Sequence, residues 1–213
     1  MRSLLPCVAL AAVAALNAAA AFFASEVTEP EGAYYLAFAG GVVEMPAAPP
    51  LGTRATIQVP PFRAPGADAG RVRALVLEGV RRNFARWPRV SIREGELPEH
   101  PRDNVVVVGG RYSGLLGLAD AVDIGDRQSD ERAIVFAESV VELLLAPSDD
   151  EVARAIANTV SHEIGHMLGF AHVGRRGSSD IMFPGVRCEE AGLEQAFLIH
   201  HQSYAAPWWR RRP

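Results

Sequence analysis

The chain has 213 residues, enough for one domain with short extensions. Apolar residues make up 49% of it, which excludes global disorder and allows a sizeable buried core. The net charge is −4, so the basic footprint of a nucleic-acid binder is absent and no nucleic-acid partner is expected.

The N-terminus has the pattern of an export signal. Arg2 precedes an almost wholly apolar run from Val8 to Ala24, broken only by Asn17. Small residues Ala18 to Ala21 offer an A-x-A-type cleavage site, so residues 1–24 read as a signal peptide. The alternative is an uncleaved anchor, since about 17 apolar residues is near the lower limit for spanning a bilayer. A secreted or extracytoplasmic protein is therefore expected, with membrane contact only if the segment is retained. Cleavage would remove Cys7 and leave Cys188 alone, so no internal disulfide is expected. Residues 25–52 are rich in Ala, Pro, Gly and Glu and read as a linker or short pro-segment.

The folded domain is expected over residues 53–205, as a monomer, with residues 206–213 a tail. Arg54 to Val59 predicts a first strand, ended by Pro60-Pro61. Asp68 to Trp87 has helical spacing, with Val72, Leu75, Val76, Val80 and Phe84 toward one side, and Pro88 stops it. Val90 to Arg93 predicts a short strand. Asn104 to Val108 carries four consecutive valines, as a strand buried on both faces would. Gly114 to Val122 is Gly- and Ala-rich with apolar positions, and Ala133 to Ala137 is another apolar strand. Asp149 or Asp150 is placed to cap a helix running to about Gly169. Glu189 to His201 suggests a last helix.

The long helix ends in His162-Glu163-Ile164-Gly165-His166-Met167-Leu168-Gly169-Phe170-Ala171-His172. His162 and His166 are four residues apart, one turn apart on one helix face, so two imidazoles can bind one ion. Glu163 sits beside them, where a carboxylate can take a proton from water. Gly169 can adopt positive φ, which lets the helix stop and the chain turn back. The turn brings His172 round as a third ligand. Three protein ligands leave one position open, the catalytic rather than the structural arrangement of zinc. Five fixed positions arise by chance in such a chain with odds of roughly one in ten thousand.

Ten residues past His172 stands Met182, in Ser178-Ser179-Asp180-Ile181-Met182-Phe183-Pro184. Together these stretches resemble the metzincin zinc proteases, and within them the matrixins and their bacterial relatives. The resemblance covers roughly residues 53–203. It implies an α+β catalytic domain with a twisted mixed sheet of about five strands and a backing helix. An active-site helix and a small C-terminal subdomain, with a Met-turn and a last helix, complete it. It further implies one catalytic zinc on His162, His166 and His172, with Glu163 as general base toward water. Met182 would be a hydrophobic floor under the metal that does no chemistry. The activity implied is a secreted zinc-dependent endopeptidase acting on peptides or proteins.

Leu118-Ala119-Asp120-Ala121-Val122 resembles the matrixin edge strand, often Leu-Ala-His-Ala-Phe, which implies that Leu118 and Ala119 offer backbone groups to an extended substrate. Asp120 stands where matrixins often use a histidine for a second, structural zinc, which puts that second zinc in doubt. Asp123, Asp126, Asp130 and Glu131 could supply oxygens to calcium, but they meet no known loop spacing, and a solvated acidic loop is the preferred reading. Pro184 occupies the place of the tyrosine that astacin-like and serralysin-like enzymes carry two residues after the methionine. The cysteine switch of many matrixin pro-segments is missing. Glu26, Glu29, Glu31 and Glu44 are candidate carboxylate plugs, though linker charges are ordinarily just solvated. Two other readings are weaker: a site with Glu189 or Glu190 as third ligand, as in gluzincins, against which Gly169 and His172 argue, and a binding module with a blocked cleft, against which the retained Glu163 argues.

Overall fold

The computed structural model describes residues 32–47, 51–64, 67–96, 103–123, 128–144, 146–172, 180–183 and 195. The elements run β1 (Gly32–Ala37), β2 (Gly41–Met45), β3 (Ala55–Val59), α1 (Ala69–Asn83), β4 (Val90–Glu94) and β5 (Asn104–Val108). There follow β6 (Gly117–Ala119), β7 (Arg132–Val135), α2 (Ala137–Glu142) and α3 (Asp149–Met167). The expected signal segment, the last helix apart from Gln195, and the tail lie outside the described residues.

The fold is α+β, around one mixed five-stranded sheet of order β4-β1-β5-β7-β6. β1 pairs in parallel with β4 and β5, β5 pairs in parallel with β7, and β6 closes one edge antiparallel to β7. β2 and β3 form a separate antiparallel hairpin.

Successive side chains in the sheet point to opposite faces. Tyr34, Leu36, Val106, Val108, Ala133 and Val135 pack toward α1 and α3. Val105, Val107, Leu118 and Ile134 face the other way, against Val43, Met45 and Val59 of the hairpin. The hairpin thus buries the face that the helices leave open. This is why β5 needs valine at four successive positions: neither of its faces meets water.

Within the span 25–52, expected as a linker or pro-segment, the structure places two strands in residues 32–45. β1 is an inner strand of the main sheet, and Tyr34 and Leu36 are fully buried. β2 supplies half of the covering hairpin. The run Tyr34-Tyr35-Leu36-Ala37-Phe38 is a short apolar strand signal hidden among Gly, Pro and Glu. Consequently the strand expected at Arg54 to Val59 belongs to the hairpin and not to the main sheet. Glu44, considered as a plug, instead accepts the Thr56 hydroxyl at 2.8 Å within that hairpin.

Local chemistry fixes the two long helices. Asp68 caps α1, accepting the N–H groups of Gly70 and Arg71 at 2.9 and 3.1 Å. Val72, Val76 and Val80 form its buried stripe. α3 is capped by Ser148, not by Asp149 or Asp150. Ser148 accepts the Glu151 N–H, while the Glu151 carboxylate accepts the Ser148 N–H at 2.8 Å. Asp149 and Asp150 occupy the first turn, where negative charge favours the helix dipole. α2, six residues long, was not evident in the sequence.

Candidate metal centre

α3 ends as Gly169 requires. Gly169 has φ +83°, its N–H donates to His166 O at 2.8 Å, and the Phe170 N–H donates to Gly165 O at 2.8 Å. These two bonds are the Schellman pattern, which satisfies the last carbonyls and reverses the chain. His172 is returned by that reversal to the face that carries His162 and His166.

The three Nε2 atoms converge. His162 and His166 are 3.0 Å apart at Nε2, and each stands 3.1 Å from Nε2 of His172. Backbone carbonyls set the tautomers. His162 Nδ1 donates to Ile181 O at 2.6 Å, and His166 Nδ1 donates to Phe170 O at 2.8 Å. With Nδ1 protonated, Nε2 of both rings carries its lone pair toward the shared centre. Two facing acceptors cannot bond each other, so the arrangement calls for a cation between them. The separations lie near the edge, about 3.3 Å, of a tetrahedron with bonds of about 2.0 Å to nitrogen.

Burial keeps these imidazoles neutral. It pushes His162 down, pushes His166 well down with help from its two neighbours, and lowers His172 to about 4. The neutral ring is the form that binds metal, so donor chemistry, geometry and charge state all fit zinc. Among the described residues, His162, His166 and His172 are the one group of three such side chains placed to hold an ion.

Glu163 is buried beside the first ligand. Burial raises its carboxyl to about 8, against the lowering effect of a hydrogen bond from the Ala119 N–H. Its neighbour is β6. A β-carbon on Gly117 would stand 2.7 Å from Glu163 Cδ and 2.8 Å from Cγ.

Met182 is fully buried in a turn in which its N–H donates to Asp180 Oδ1 at 2.9 Å. Its thioether packs on the backbone of Gly165, between the first two ligands: a β-carbon there would stand 3.2 Å from Met182 Cε. β6 lies at the sheet edge and contains Leu118 and Ala119, but the two differ. Leu118 packs toward the hairpin and Ala119 toward the helices. Asp120 follows β6. Its Oδ2 accepts the Arg132 N–H at 3.0 Å, its Oδ1 is buried without a hydrogen bond among the described residues, and burial raises its pKa from 3.8 to about 6.

The acidic loop is not gathered as a cation site among the described residues. Asp123 is buried, accepts the Gln128 N–H at 2.8 Å and donates its own N–H to His166 O at 3.0 Å. Glu131 is buried elsewhere, its N–H bonded to Asn104 Oδ1 at 3.2 Å. Asp126, Pro184, Cys188, Glu189 and Glu190 lie outside the described residues. Three features of the site are not legible in the sequence: the Ile181 and Phe170 carbonyls, and the close approach of Gly117 to Glu163. Backbone groups leave no mark on residue type, and a glycine at a sheet edge has many ordinary explanations.

No protein-family model matches the chain, and no curated protein does. Solved structures are similar at low identity. An archaemetzincin from Methanopyrus kandleri is 14% identical, with a TM-score of 0.48 over 85% of this chain and 96% of that one. A zinc-dependent peptidase from Methanocorpusculum labreanum is 13% identical, with a TM-score of 0.47 over 81% of this chain and 98% of that one. Metalloproteinase-II from Bacteroides fragilis is 11% identical, with a TM-score of 0.49 over 87% of this chain and 55% of that one.

Proposed function

We propose that this chain is a zinc-dependent endopeptidase of metzincin type with a matrixin-like signature. The observation that carries the reading is the convergence of three Nε2 atoms, 3.0 and 3.1 Å apart, beside a buried glutamate. The matrixin-like part is supported by the sequence around Met182 and by the edge position of β6, where Ala119 turns its backbone groups outward; Leu118, expected to share that role, pairs inward with Ile134 instead.

His162, His166 and His172 would hold the zinc. When bound, the ion supplies a Lewis acid that polarises the scissile carbonyl and makes water more acidic. The remaining work falls to the chain. Glu163 takes the proton from the attacking water and returns it to the leaving amine. A carboxyl raised by burial suits both halves of that exchange, and a cation nearby draws its value back toward neutrality. The outward backbone groups of β6 can pair with an extended peptide as an added strand, which holds the scissile bond in line. Met182 packs under the ligands and touches no reacting atom.

The apolar run from Val8 to Ala24 supports export, and with it a substrate outside the cytoplasm. The reading is tested by zinc analysis and by cleavage of a mixed peptide library. One zinc per chain is expected. Glu163→Gln should keep the zinc and lose cleavage by several orders of magnitude. A zinc-loaded chain that cleaves no peptide, or a Glu163→Gln variant as active as the parent, overturns it.

A further inference from the structure

β6 does more than edge the sheet. In an antiparallel pair, alternate residues bond across to the partner strand and the others face away. The Asp120 N–H donates to Arg132 O at 2.9 Å, and the Phe136 N–H donates to Leu116 O at 2.8 Å. Leu118 opposite Ile134 continues that series. Gly117 and Ala119 therefore turn their backbone groups away from β7, toward the open edge. One of these outward groups, the Ala119 N–H, lies close enough to the Glu163 carboxyl to oppose the rise in its pKa.

Gly117 and Ala119 also share a side-chain direction, since they are two apart on a strand. At Ala119 that direction is toward the helices. At Gly117 it points into Glu163. A β-carbon there would overlap Oε1 and crowd Cδ at 2.7 Å and Cγ at 2.8 Å. The helical backbone fixes Glu163 Cα, so its carboxyl could leave this place only by changing rotamer.

We infer that Gly117 is a positioning residue for Glu163: its missing side chain leaves the space that the carboxyl fills, and the Ala119 N–H holds the carboxyl there. The inference rests on the peptidase reading for its effect on turnover, but the seat itself is a property of the fold. It also sets the register of an added strand. With the Ala119 N–H engaged, an incoming peptide pairs through Gly117 and through the Ala119 carbonyl.

Two measurements on the full-length chain test it. The first needs no turnover: amide hydrogen exchange at Ala119, with Asp120 as the internal control. An open-edge amide is protected only if something caps it, so Ala119 should be protected in the parent. Glu163→Ala should speed its exchange about 10-fold or more and leave Asp120 unchanged. An unprotected Ala119 in the parent, or protection that survives Glu163→Ala, overturns the seat whether or not the chain cleaves peptides.

The second is a double-substitution cycle on the zinc-loaded chain. Gly117→Ala should keep one zinc and lower kcat by about 100-fold, the scale of a 1 Å misplacement, with KM little changed. Glu163→Asp shortens the side chain by one methylene and should itself lower kcat. In the Gly117→Ala background the same shortening relieves the overlap, so the double variant should be no worse than Gly117→Ala alone. Penalties that simply multiply, or a Gly117→Ala variant within twofold of the parent, overturn the positioning role. If Gly117→Ala does not fold, adding Glu163→Ala should restore a cooperative melt, because the colliding carboxyl is gone. A double variant that melts no better overturns it too. A parent with protected Ala119 but no cleavage leaves the seat standing and removes the peptidase reading.

Discussion

His162 Nδ1 stands 2.6 Å from the carbonyl oxygen of Ile181, the residue that precedes Met182. The turn that seats the methionine is thereby also the turn that orients the first ligand. The buried methionine and the hydrogen-bond anchor are adjacent residues of one segment, held by the Met182 N–H on Asp180 Oδ1. Metal ligands are commonly fixed in this way through their second ring nitrogen.

Zinc should therefore stabilise the fold. Binding only to the folded state contributes RT ln(1 + [L]/Kd), or about 4 kcal/mol when free zinc is a thousand times Kd. Thermal melts with zinc and with a chelator should differ accordingly. His172→Ala removes one donor of three and should abolish most of the difference. A melt unmoved by zinc in the parent would mean that the three rings bind no ion.

The chain beginning at residue 53 should not fold. It lacks β1, whose residues pair on both sides, with Val90 to Glu94 and with Asn104 to Val107. It also lacks β2, so the apolar face formed by Val105, Val107 and Ile134 would meet water. Within the full chain, Leu36→Ala removes a fully buried side chain and should cost about 2–5 kcal/mol. Near-UV circular dichroism and denaturant melts measure both. A truncated chain with a cooperative melt would mean that β1 is dispensable.

The same region shows where the sequence was legible. The metal ligands were readable because helix period, glycine turn and donor chemistry impose residue types at fixed spacing. β5 was readable because a strand covered on both faces must be apolar throughout. β1 was not, because a short strand between Gly, Pro and Glu carries too few residues to override that composition. The sequence places the cap of α3 one or two residues late, since Ser148, Asp149 and Asp150 are all competent caps and only the reciprocal bond to Glu151 decides. Gly117 was invisible because its function is an absence of atoms beside a residue distant in sequence.

Asp120 should make stability depend on pH. Its folded pKa, about 6, lies above the usual 3.8. Between those values the folded chain binds more protons at this site than the unfolded chain does, so the site's contribution falls as pH rises through the window. Asp120→Asn removes the titration and keeps an oxygen for the Arg132 N–H. Relative to the parent, the variant should gain stability from pH 4 to pH 7, by roughly 1–3 kcal/mol, since one pKa unit is worth about 1.4 kcal/mol. Denaturant melts of both proteins at several pH values give the difference. A gap that stays constant with pH, or narrows as pH rises, would show that Asp120 titrates normally.

Met182 separates packing from chemistry. Its thioether lies against Gly165, between the two helical ligands, and is fully buried. Nothing in that position donates to the ion, so volume and shape are what count. Met182→Leu nearly conserves volume and should cost under about 1.5 kcal/mol, with zinc and most activity kept. Met182→Ala opens a cavity and should cost about 2–5 kcal/mol. The cavity lies one residue from the Ile181 carbonyl that orients His162, so slack in the turn should reach the ligand. Zinc affinity should then fall about 10- to 100-fold, the range seen when a ligand's supporting contact is lost. Melts with and without chelator, and zinc titrations of both variants, measure the two effects separately. Equal losses from leucine and alanine would mean that the sulfur itself matters. Negligible losses from both would mean that the turn holds His162 without the methionine beneath it.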